Sequence, residues 1–558
     1  MLHVCVHRAP NPVPIATADL PRGHSPEHLL GSSGDSASMG RVGWCAPCVE
    51  RSVRHARVPF EAAPLWPELT PYDAESQGLG RPRLEWAALN VAQVWRLQVL
   101  LALSIRNFKS IREARVRFGA LTCVIGHNGV GKSNLFDAVH FLSLLSEHDI
   151  HQATAEVRRS VEGTFSPLDL VFGRDPSKVI ELSADMITEH AVVDDFGQHA
   201  TSSTTLLRYR LALKYDPASD RLLVESEELR NAKLGDFSRF TAFDSSVEFR
   251  NSVAVGTRRT GPLISTNRDE GRIFLHGDGG SRGRPSPVGT SPLTVVGGTN
   301  TADYPTVMAA KREMASWRML QLEPSRMRSP DQRGAEPHVS AAGGHLAATL
   351  NALEKANGDT RTEVVNRLRE LNSDVLDLDV YSDEARDQLA LRARVAGVSN
   401  WLYGRALSDG TLRYIALALM LVDTRDRGLL CLEEPENGIH PSRIPNLVNL
   451  LYDYAVDPEE PVGDDNPARQ VVINSHSPEV ARQLDFSDML FAERAKGADG
   501  SFVSVFRPVL GTWRVDRIAS EELTSLPKDR QAVADFIGGA PVRFDDDEQL
   551  KFEFGSVS

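Results

Sequence analysis

The stretch that decides the fold is VIGHNGVGKSNLFDA, residues 124–138. It fills every fixed position of the pattern G-x-x-x-x-G-K-[ST]. A loop of this spacing turns its backbone N–H groups towards nucleotide phosphates, while its lysine reaches the β- and γ-phosphates and its hydroxyl ligates Mg²⁺. The sequence therefore predicts a site for ATP and Mg²⁺. The residues that we expect to form it are Gly126, Asn128, Gly129, Gly131, Lys132, Ser133 and Asn134.

The sequence on both sides supplies the strand and the helix that such a loop needs. The segments LALSIRNFKSI, residues 101–111, and ARVRFGALTCVIG, residues 114–126, alternate apolar and polar residues, as antiparallel strands do. The second segment ends in a buried strand that leads into the loop. Apolar residues then recur at helical spacing, at Leu135, Ala138, Val139, Leu142 and Leu145.

A second motif lies more than two hundred residues further on, in RALSDGTLRYIALALMLV, residues 405–422. Its apolar residues trace one face of a helix, and Ser408 stands where an N-cap belongs. Gly410 permits close approach of another backbone. A helix N-terminus with these residues can bind an anion, although the motif taken alone is more typical of an ordinary capped helix.

Two buried strands follow, and each ends in polar residues. GLLCLEEPENGIHP, residues 428–441, delivers Glu433 and Glu434 at a strand end, where ligands of α/β sheets bind. We expect these carboxylates to coordinate Mg²⁺ and to polarise the attacking water, although solvated glutamates are the simpler alternative. QVVINSHSPEV, residues 470–480, repeats the form with His476, which we interpret as a sensor of the γ-phosphate.

These four motifs, in this order, resemble the ABC-type ATPases of the SMC/RecF/OLD group, most closely the predicted "AAA family ATPases" without a TOPRIM domain. The opening IRNFKSI and LEPSRMRSP, residues 322–330, resemble the same group, so that the likeness spans about residues 97 to 510. The resemblance implies a head-to-tail dimer that clamps each ATP between the phosphate loop of one subunit and Ser408 and Gly410 of the other.

The resemblance also implies a role for each polar residue. Glu433 takes the Walker B position and ligates Mg²⁺ with Ser133, Glu434 becomes the catalytic base, and His476 becomes the switch histidine. Residues 437–440 correspond to the D-loop. Two departures stand out. Glu433 replaces the usual aspartate, and no glutamine matches the Q-loop position well, the nearest candidate being Gln152.

The predicted fold class is α/β: a P-loop NTPase with an ABC-type ATPase head, built on a mixed β-sheet with flanking helices, that carries a large inserted α+β lobe. We expect a low-order extension over residues 1–95, an ATPase lobe over 96–165, the inserted lobe over 166–400 and a second ATPase lobe over 401–558. Within the insert, the sequence predicts a hairpin around Asp216-Pro217, a flexible loop over 277–292 and two amphipathic helices between 346 and 371.

Composition narrows the class of protein. The chain has 558 residues, a net charge of -13 and five cysteines, which argues against a general nucleic-acid coat and against a disulfide framework. Cys123 and Cys431 stand in apolar runs and are expected to be buried. The longest early apolar run, residues 99–103, is too short for a membrane span, so we expect a cytoplasmic protein.

The stretch GWCAPC, residues 43–48, resembles a thioredoxin motif, but no strand–helix context surrounds it. Two functional interpretations are a redox role and a zinc half-site, the latter made by Cys45 and Cys48 with His3, His7 or His55. The simpler interpretations are a disordered extension and a start codon assigned too early.

The function expected from the motifs is an ATP-hydrolysing dimeric switch or motor in a DNA-related process, either repair or anti-phage defence. We expect no nuclease in this chain, because Asp545, Asp546 and Asp547 are typical of solvated charge, so that an effector would be encoded separately. The alternatives are the ATPase subunit of an ABC transporter and an ATP-dependent scaffold that does not hydrolyse ATP.

Overall fold

The computed structural model describes residues 99–538 except 158–165, 233–236, 238–240, 257–260, 281–282, 290, 498 and 518–521. The predicted extension over 1–95, with Cys45 and Cys48, lies outside the described residues, as does the acidic stretch at 545–547.

The strands in chain order are β1 Val99–Phe108, β2 Ile111–Arg117, β3 Leu121–Ile125, β4 Val179–Ile187, β5 Ala191–Val193, β6 His199–Thr201, β7 Leu206–Asp216, β8 Arg221–Asn231, β9 Ile264–Asn267, β10 Arg272–Leu275, β11 Arg284–Pro287, β12 Arg318–Leu320, β13 Asp331–Gln332, β14 Val375–Asp383, β15 Gln388–Val395, β16 Leu402–Tyr403, β17 Gly428–Glu433, β18 Arg469–Ser475, β19 Met489–Lys496 and β20 Phe502–Pro508. The helices are α1 Lys132–Glu147, α2 Ile150–Glu156, α3 Val247–Val253, α4 Pro305–Ala315, α5 Pro324–Met327, α6 Leu346–Ala356, α7 Thr360–Leu371, α8 Asp409–Val422, α9 Ile444–Tyr454, α10 Pro478–Arg482, α11 Trp513–Asp516 and α12 Arg530–Ile537.

One sheet of the described residues has six strands in the order β12-β17-β18-β3-β19-β20. All neighbouring pairs are parallel except β19 and β20. β3 is buried on both faces, which explains its continuous apolar sequence. Cys123 and Cys431 are fully buried as predicted, and burial raises the pKa of both thiols.

A second, eight-stranded antiparallel sheet has the order β11-β10-β9-β8-β7-β4-β1-β2. It contains the predicted antiparallel pair β1–β2 and the predicted hairpin, in which Asp216 pairs with Arg221. The flexible loop predicted over 277–292 is wrong in part, because β11 pairs with β10 within it. β11 has prolines at Pro285 and Pro287 and lies at the sheet edge, where a strand tolerates residues without an N–H.

Helix α1 lies between the two sheets. Its apolar residues Phe136, Val139 and Leu142 pack in one core with strands of the antiparallel sheet and with Val124 of β3. The opposite face of β3, with Cys123 and Ile125, packs in a second core with helices α6 to α9. These include the two amphipathic helices that the sequence predicts.

The predicted α/β fold class, a mixed β-sheet with flanking helices in which a buried strand leads through the glycine-rich loop into a helix, is therefore confirmed. The domain boundaries at 165/166 and 400/401 stay a prediction. The eight-stranded sheet crosses the first boundary, since β1 pairs with β4. The six-stranded sheet crosses both, since β3 pairs with β18 and β12 pairs with β17. In the described part of the chain, no helix is both long enough and apolar enough to span a membrane.

Candidate functional site

Four neighbouring strands bring the sequence motifs to one edge of the six-stranded sheet. Across this edge Leu320 pairs with Leu432, Glu433 with Asn474, and Ser475 with Ile125. The segments that leave β12, β17, β18 and β3 therefore start side by side, as expected at the carboxyl ends of parallel strands.

The phosphate loop is held between β3 and α1 in a shape that needs its glycines. Gly126 donates its N–H to the carbonyl oxygen of Ser475, at 3.2 Å. A Cβ atom at Gly126 would collide with the carbonyl oxygen of Ala492, and one at Gly131 would collide with the hydroxyl of Ser504. Gly131 also has a left-handed backbone, with φ of 96°.

Helix α1 presents an open N-terminus at this loop. Its N-cap is Gly131, and no side chain of the described residues caps the first turn, so that the backbone N–H groups of the turn face outwards. The Lys132 Nζ atom donates to the carbonyl oxygens of Gly126 and His127, at 2.7 and 2.9 Å. Burial lowers the pKa of Lys132, and the neighbouring carboxylates of Glu434 and Glu436 counteract this effect.

The remaining loop residues differ in exposure. Asn128 and Gly129 are exposed, whereas Ser133 and Asn134 are half-buried. The Asn134 side chain donates to the hydroxyl of Ser110, which itself contacts the hydroxyl of Ser504. Through Ser110, these hydrogen bonds connect the first turn of α1, directly after the loop, with Ser504 of β20.

Glu433, at the end of β17, contacts a glutamine that the sequence did not single out. The Gln321 Nε2 atom, directly after β12, donates to Glu433 Oε2 at 3.2 Å. Gln152, the candidate for the Q-loop glutamine, is exposed on α2. Its backbone N–H donates to the side chain of Asp149, the N-cap of that helix. Because β12 has only three residues, nothing in the sequence pattern marks Gln321 as a strand-end residue.

Glu434 lies at the centre of a hydrogen-bonded group. Its Oε1 is 3.1 Å from His476 Nδ1, and its Oε2 accepts from Asn437 Nδ2 at 2.7 Å. Its backbone N–H donates to the carbonyl and side-chain oxygens of Asn474, at 3.1 and 2.9 Å. Glu434 also has a φ of 44°, a left-handed conformation that side chains rarely adopt and that clusters at functional sites.

The signature residues lie at a second place in the chain. Ser408 is the N-cap of α8, as predicted, and accepts from Thr411 N at 3.2 Å. A Cβ atom at Gly410 would lie 2.8 Å from the carbonyl oxygen of Gly438, which belongs to the predicted D-loop. Arg328 donates to the Leu407 carbonyl at 3.2 Å and pairs with Asp409.

The structure thus places the strand-end residues Gln321, Glu433, Glu434 and His476 at the same sheet edge as the start of the phosphate loop. It also places Gly410 close to Gly438 of the predicted D-loop. Among the described residues, no hydrogen bond connects Ser408 or Gly410 with the phosphate loop of the same chain. A cavity of about 1330 Å³ opens beside Gln321 and Glu433 and extends along α1 to Lys109 and His140.

Comparisons with known proteins agree with this arrangement. The family model "AAA ATPase domain" matches residues 100–247, and the model "AAA domain, putative AbiEii toxin, Type IV TA system" matches residues 311–482. The first match contains the phosphate loop, and the second contains the signature, Glu433, Glu434 and His476.

Two curated relatives carry the same name. The DNA replication and repair protein RecF of Thermosynechococcus vestitus is 29% identical over 155 residues, which are 25% of this chain and 41% of that protein. RecF of Porphyromonas gingivalis is 49% identical over 51 residues, which are 9% of this chain and 14% of that protein. The chain therefore spans less than half the length of these relatives.

Among solved structures, an Smc head bound to the C-winged helix domain of ScpA is similar with a TM-score of 0.42 and 13% identity, over 73% of this chain and 98% of that chain. Because this similarity is low, the assignment rests on the two matched family models, the RecF relatives and the strand order. The matched models and relatives support the resemblance of this chain to AAA-type ATPases of the SMC/RecF group.

Proposed function

We propose that this chain binds ATP with Mg²⁺ and hydrolyses it to ADP and phosphate. The observation that carries the proposal is the pair Glu434–His476, hydrogen-bonded at 3.1 Å on the sheet edge where the phosphate loop begins. A carboxylate oriented by a histidine beside a phosphate-binding loop is the arrangement that water activation requires.

The residues present fit both ATP and Mg²⁺. The glycines leave room for phosphates against the backbone, the open N-terminus of α1 favours an anion, and Lys132 adds a cation. The Ser133 hydroxyl and the Glu433 carboxylate are the hard oxygen ligands that would hold Mg²⁺. When bound there, Mg²⁺ would neutralise charge on the phosphate oxygens.

The side chains of the site divide the work of the reaction: some activate water, and others hold the phosphates or orient Glu433. Glu434 takes a proton from the attacking water as the water oxygen bonds to the γ-phosphorus and the bond from that phosphorus to the ADP oxygen breaks. His476 and Asn437 hold one carboxylate oxygen each, so that Glu434 keeps its direction. Lys132 exchanges its two carbonyl partners for phosphate oxygens, and Gln321 orients Glu433.

The active form that we propose is a homodimer with two composite sites. Ser408 and Gly410 lie at the N-terminus of α8, and in the described residues they make no hydrogen bond with their own phosphate loop. A partner's loop would meet them there and close the dimer around ATP, and hydrolysis would release it.

Mixing two inactive variants tests the composite site. Lys132→Ala leaves an intact signature, and Ser408→Arg leaves an intact phosphate loop. A mixed dimer should therefore regain one working site and a measurable part of wild-type phosphate release. A mixture no more active than either variant alone would contradict the composite site while leaving hydrolysis itself in place.

The process that we propose is DNA-related, in repair or anti-phage defence, with an effector encoded separately. Its support is the RecF name of the curated relatives and the matched model with "AbiEii toxin" in its description. Steady-state phosphate release with and without single- and double-stranded DNA tests this assignment. Stimulation by either DNA would support it, and turnover insensitive to both would contradict it.

A further inference from the structure

Beside the candidate site lies a buried carboxylate, Glu436, to which the proposed reaction assigns no role. It follows Glu434 by two residues and is 7% exposed. Its Oε1 accepts a hydrogen bond from the Ser475 hydroxyl, whereas its Oε2 has no hydrogen-bond partner among the described residues. Because an unpaired buried carboxylate oxygen costs free energy, fold stability does not explain this residue.

Ser475, the partner of Glu436, connects three parts of the site. Its hydroxyl accepts from Ser477 N at 3.0 Å, so that its own proton is directed to Glu436. Its carbonyl oxygen accepts from Gly126 N at 3.2 Å, at the start of the phosphate loop. The next residue is His476. One fully buried serine therefore touches the turn after β17, the phosphate loop and the turn that carries the histidine.

We propose that Glu436 is a positioning residue, which acts through Ser475 to fix the Glu434–His476 pair relative to the phosphate loop. The inference rests on the proposed hydrolysis. A hydrogen bond in a buried, low-dielectric place resists displacement. Two other contacts tie the turn of Glu434 to β18 and its end: the direct Glu434–His476 hydrogen bond, and the contact with Asn474 that fixes the backbone of Glu434. The Glu436–Ser475 bond adds a second fixed point, on the side of the phosphate loop.

This role predicts a loss in the catalytic step without a loss in nucleotide binding. Glu436→Ala and Ser475→Ala should each lower kcat by about 10- to 100-fold, as small misplacements of reacting groups do. KM and the affinity for a fluorescent ATP analogue should stay within about 3-fold of wild type, since Lys132 and the loop backbone are unchanged. Glu436→Gln keeps the acceptor for Ser475 and should stay within about 5-fold of wild-type kcat.

A double-mutant cycle tests most directly whether Glu436 and Ser475 act through one hydrogen bond. If both residues act through one bond, Glu436→Ala/Ser475→Ala should be no slower than the worse single variant. Unchanged kcat in either alanine variant, losses that multiply in the double variant, or losses confined to KM and affinity would each overturn the inference. Should Glu436→Ala not fold, the test rests on the contrast between the lowered kcat expected of Ser475→Ala and the nearly unchanged kcat expected of Glu436→Gln. Wild type without phosphate release would refute the proposed function, and this inference with it, whereas an active wild type isolates the test to Glu436.

Discussion

At the scale of single residues, Glu434 concentrates the unusual features of the site. It has a left-handed backbone, two side-chain partners and a place beside the phosphate loop. Glu434→Gln should bind ATP nearly as well as wild type, because Lys132, Ser133 and Glu433 remain. Its turnover should fall by about 100-fold or more, because an amide cannot accept the proton of water. Glu479→Gln, at a half-buried glutamate on α10 that pairs with Arg482, is a matched control that should keep wild-type turnover. Near-normal turnover in Glu434→Gln would place the base elsewhere.

Gly131 and Gly129 form a matched pair for the shape of the phosphate loop. Both have a positive φ, so that alanine costs roughly 1 kcal/mol of backbone strain at either position. Only at Gly131 would a Cβ atom meet Ser504; at Gly129 it would meet nothing within 4 Å. Gly131→Ala should therefore weaken binding of a fluorescent ATP analogue far more than Gly129→Ala. Equal effects of the two substitutions would show that steric fit against β20 does not set the loop shape.

At the scale of elements, β8 contains a buried acid with a pH-dependent effect on stability. Glu227 is fully buried, accepts from Val295 N and Val296 N at 2.6 and 2.9 Å, and burial raises its pKa to about 7. Between the ordinary value of 4.5 and about 7, the folded state holds a proton that the unfolded state has lost. Its contribution to the free energy of unfolding therefore falls as pH rises, by roughly 1.4 kcal/mol per pH unit in that window.

Urea unfolding from pH 5 to pH 8 checks this contribution. The glutamine of Glu227→Gln cannot ionise. The free energy of unfolding of wild type minus that of this variant should therefore fall as pH rises. Curves that remain parallel over the whole range would contradict the raised pKa of Glu227.

The elements also show which parts of the site the sequence could predict. Gly131, Glu434 and His476 adjoin long, strongly patterned segments. The sequence placed Gly131 before a helix and Glu434 and His476 directly after strands, as the structure has them. Gln321 follows a three-residue strand with no period of its own, and only the parallel pairing of β12 with β17 brings it to Glu433. The strand β11 was missed because its prolines and glycine-rich surroundings are typical of a loop.

At the scale of the whole molecule, the sequence predicted the nucleotide-binding sheet but not how the rest surrounds it. Three of the four motifs follow the buried strands β3, β17 and β18, which lie side by side in the six-stranded sheet. The second sheet joins strands from both sides of the predicted boundary at residue 165, because β1 pairs with β4 over a long sequence separation. Local patterns carry no information about such pairing, so the insert could not be drawn correctly from sequence alone.

Residues 1–90 should be dispensable for the ATPase. In the described structure, the strands of both sheets and the helices that pack on them all begin at Val99 or later. A chain that starts at residue 91 should therefore fold and release phosphate at a rate within about 3-fold of the full chain. Full-length Cys45→Ser/Cys48→Ser is the control for a separate metal or redox role. An insoluble or inactive truncated chain would make the segment a structural part of the ATPase.

The central claim is that ATP is hydrolysed at the edge where Lys132, Glu434 and His476 meet, and steady-state phosphate release from Mg-ATP tests it most directly. The account predicts turnover in wild type and its loss in Lys132→Ala, which lacks the phosphate contact. It also predicts at least about 100-fold slower turnover in Glu434→Gln, which still binds ATP. Absence of phosphate release from wild type, or wild-type turnover in Lys132→Ala, would contradict it.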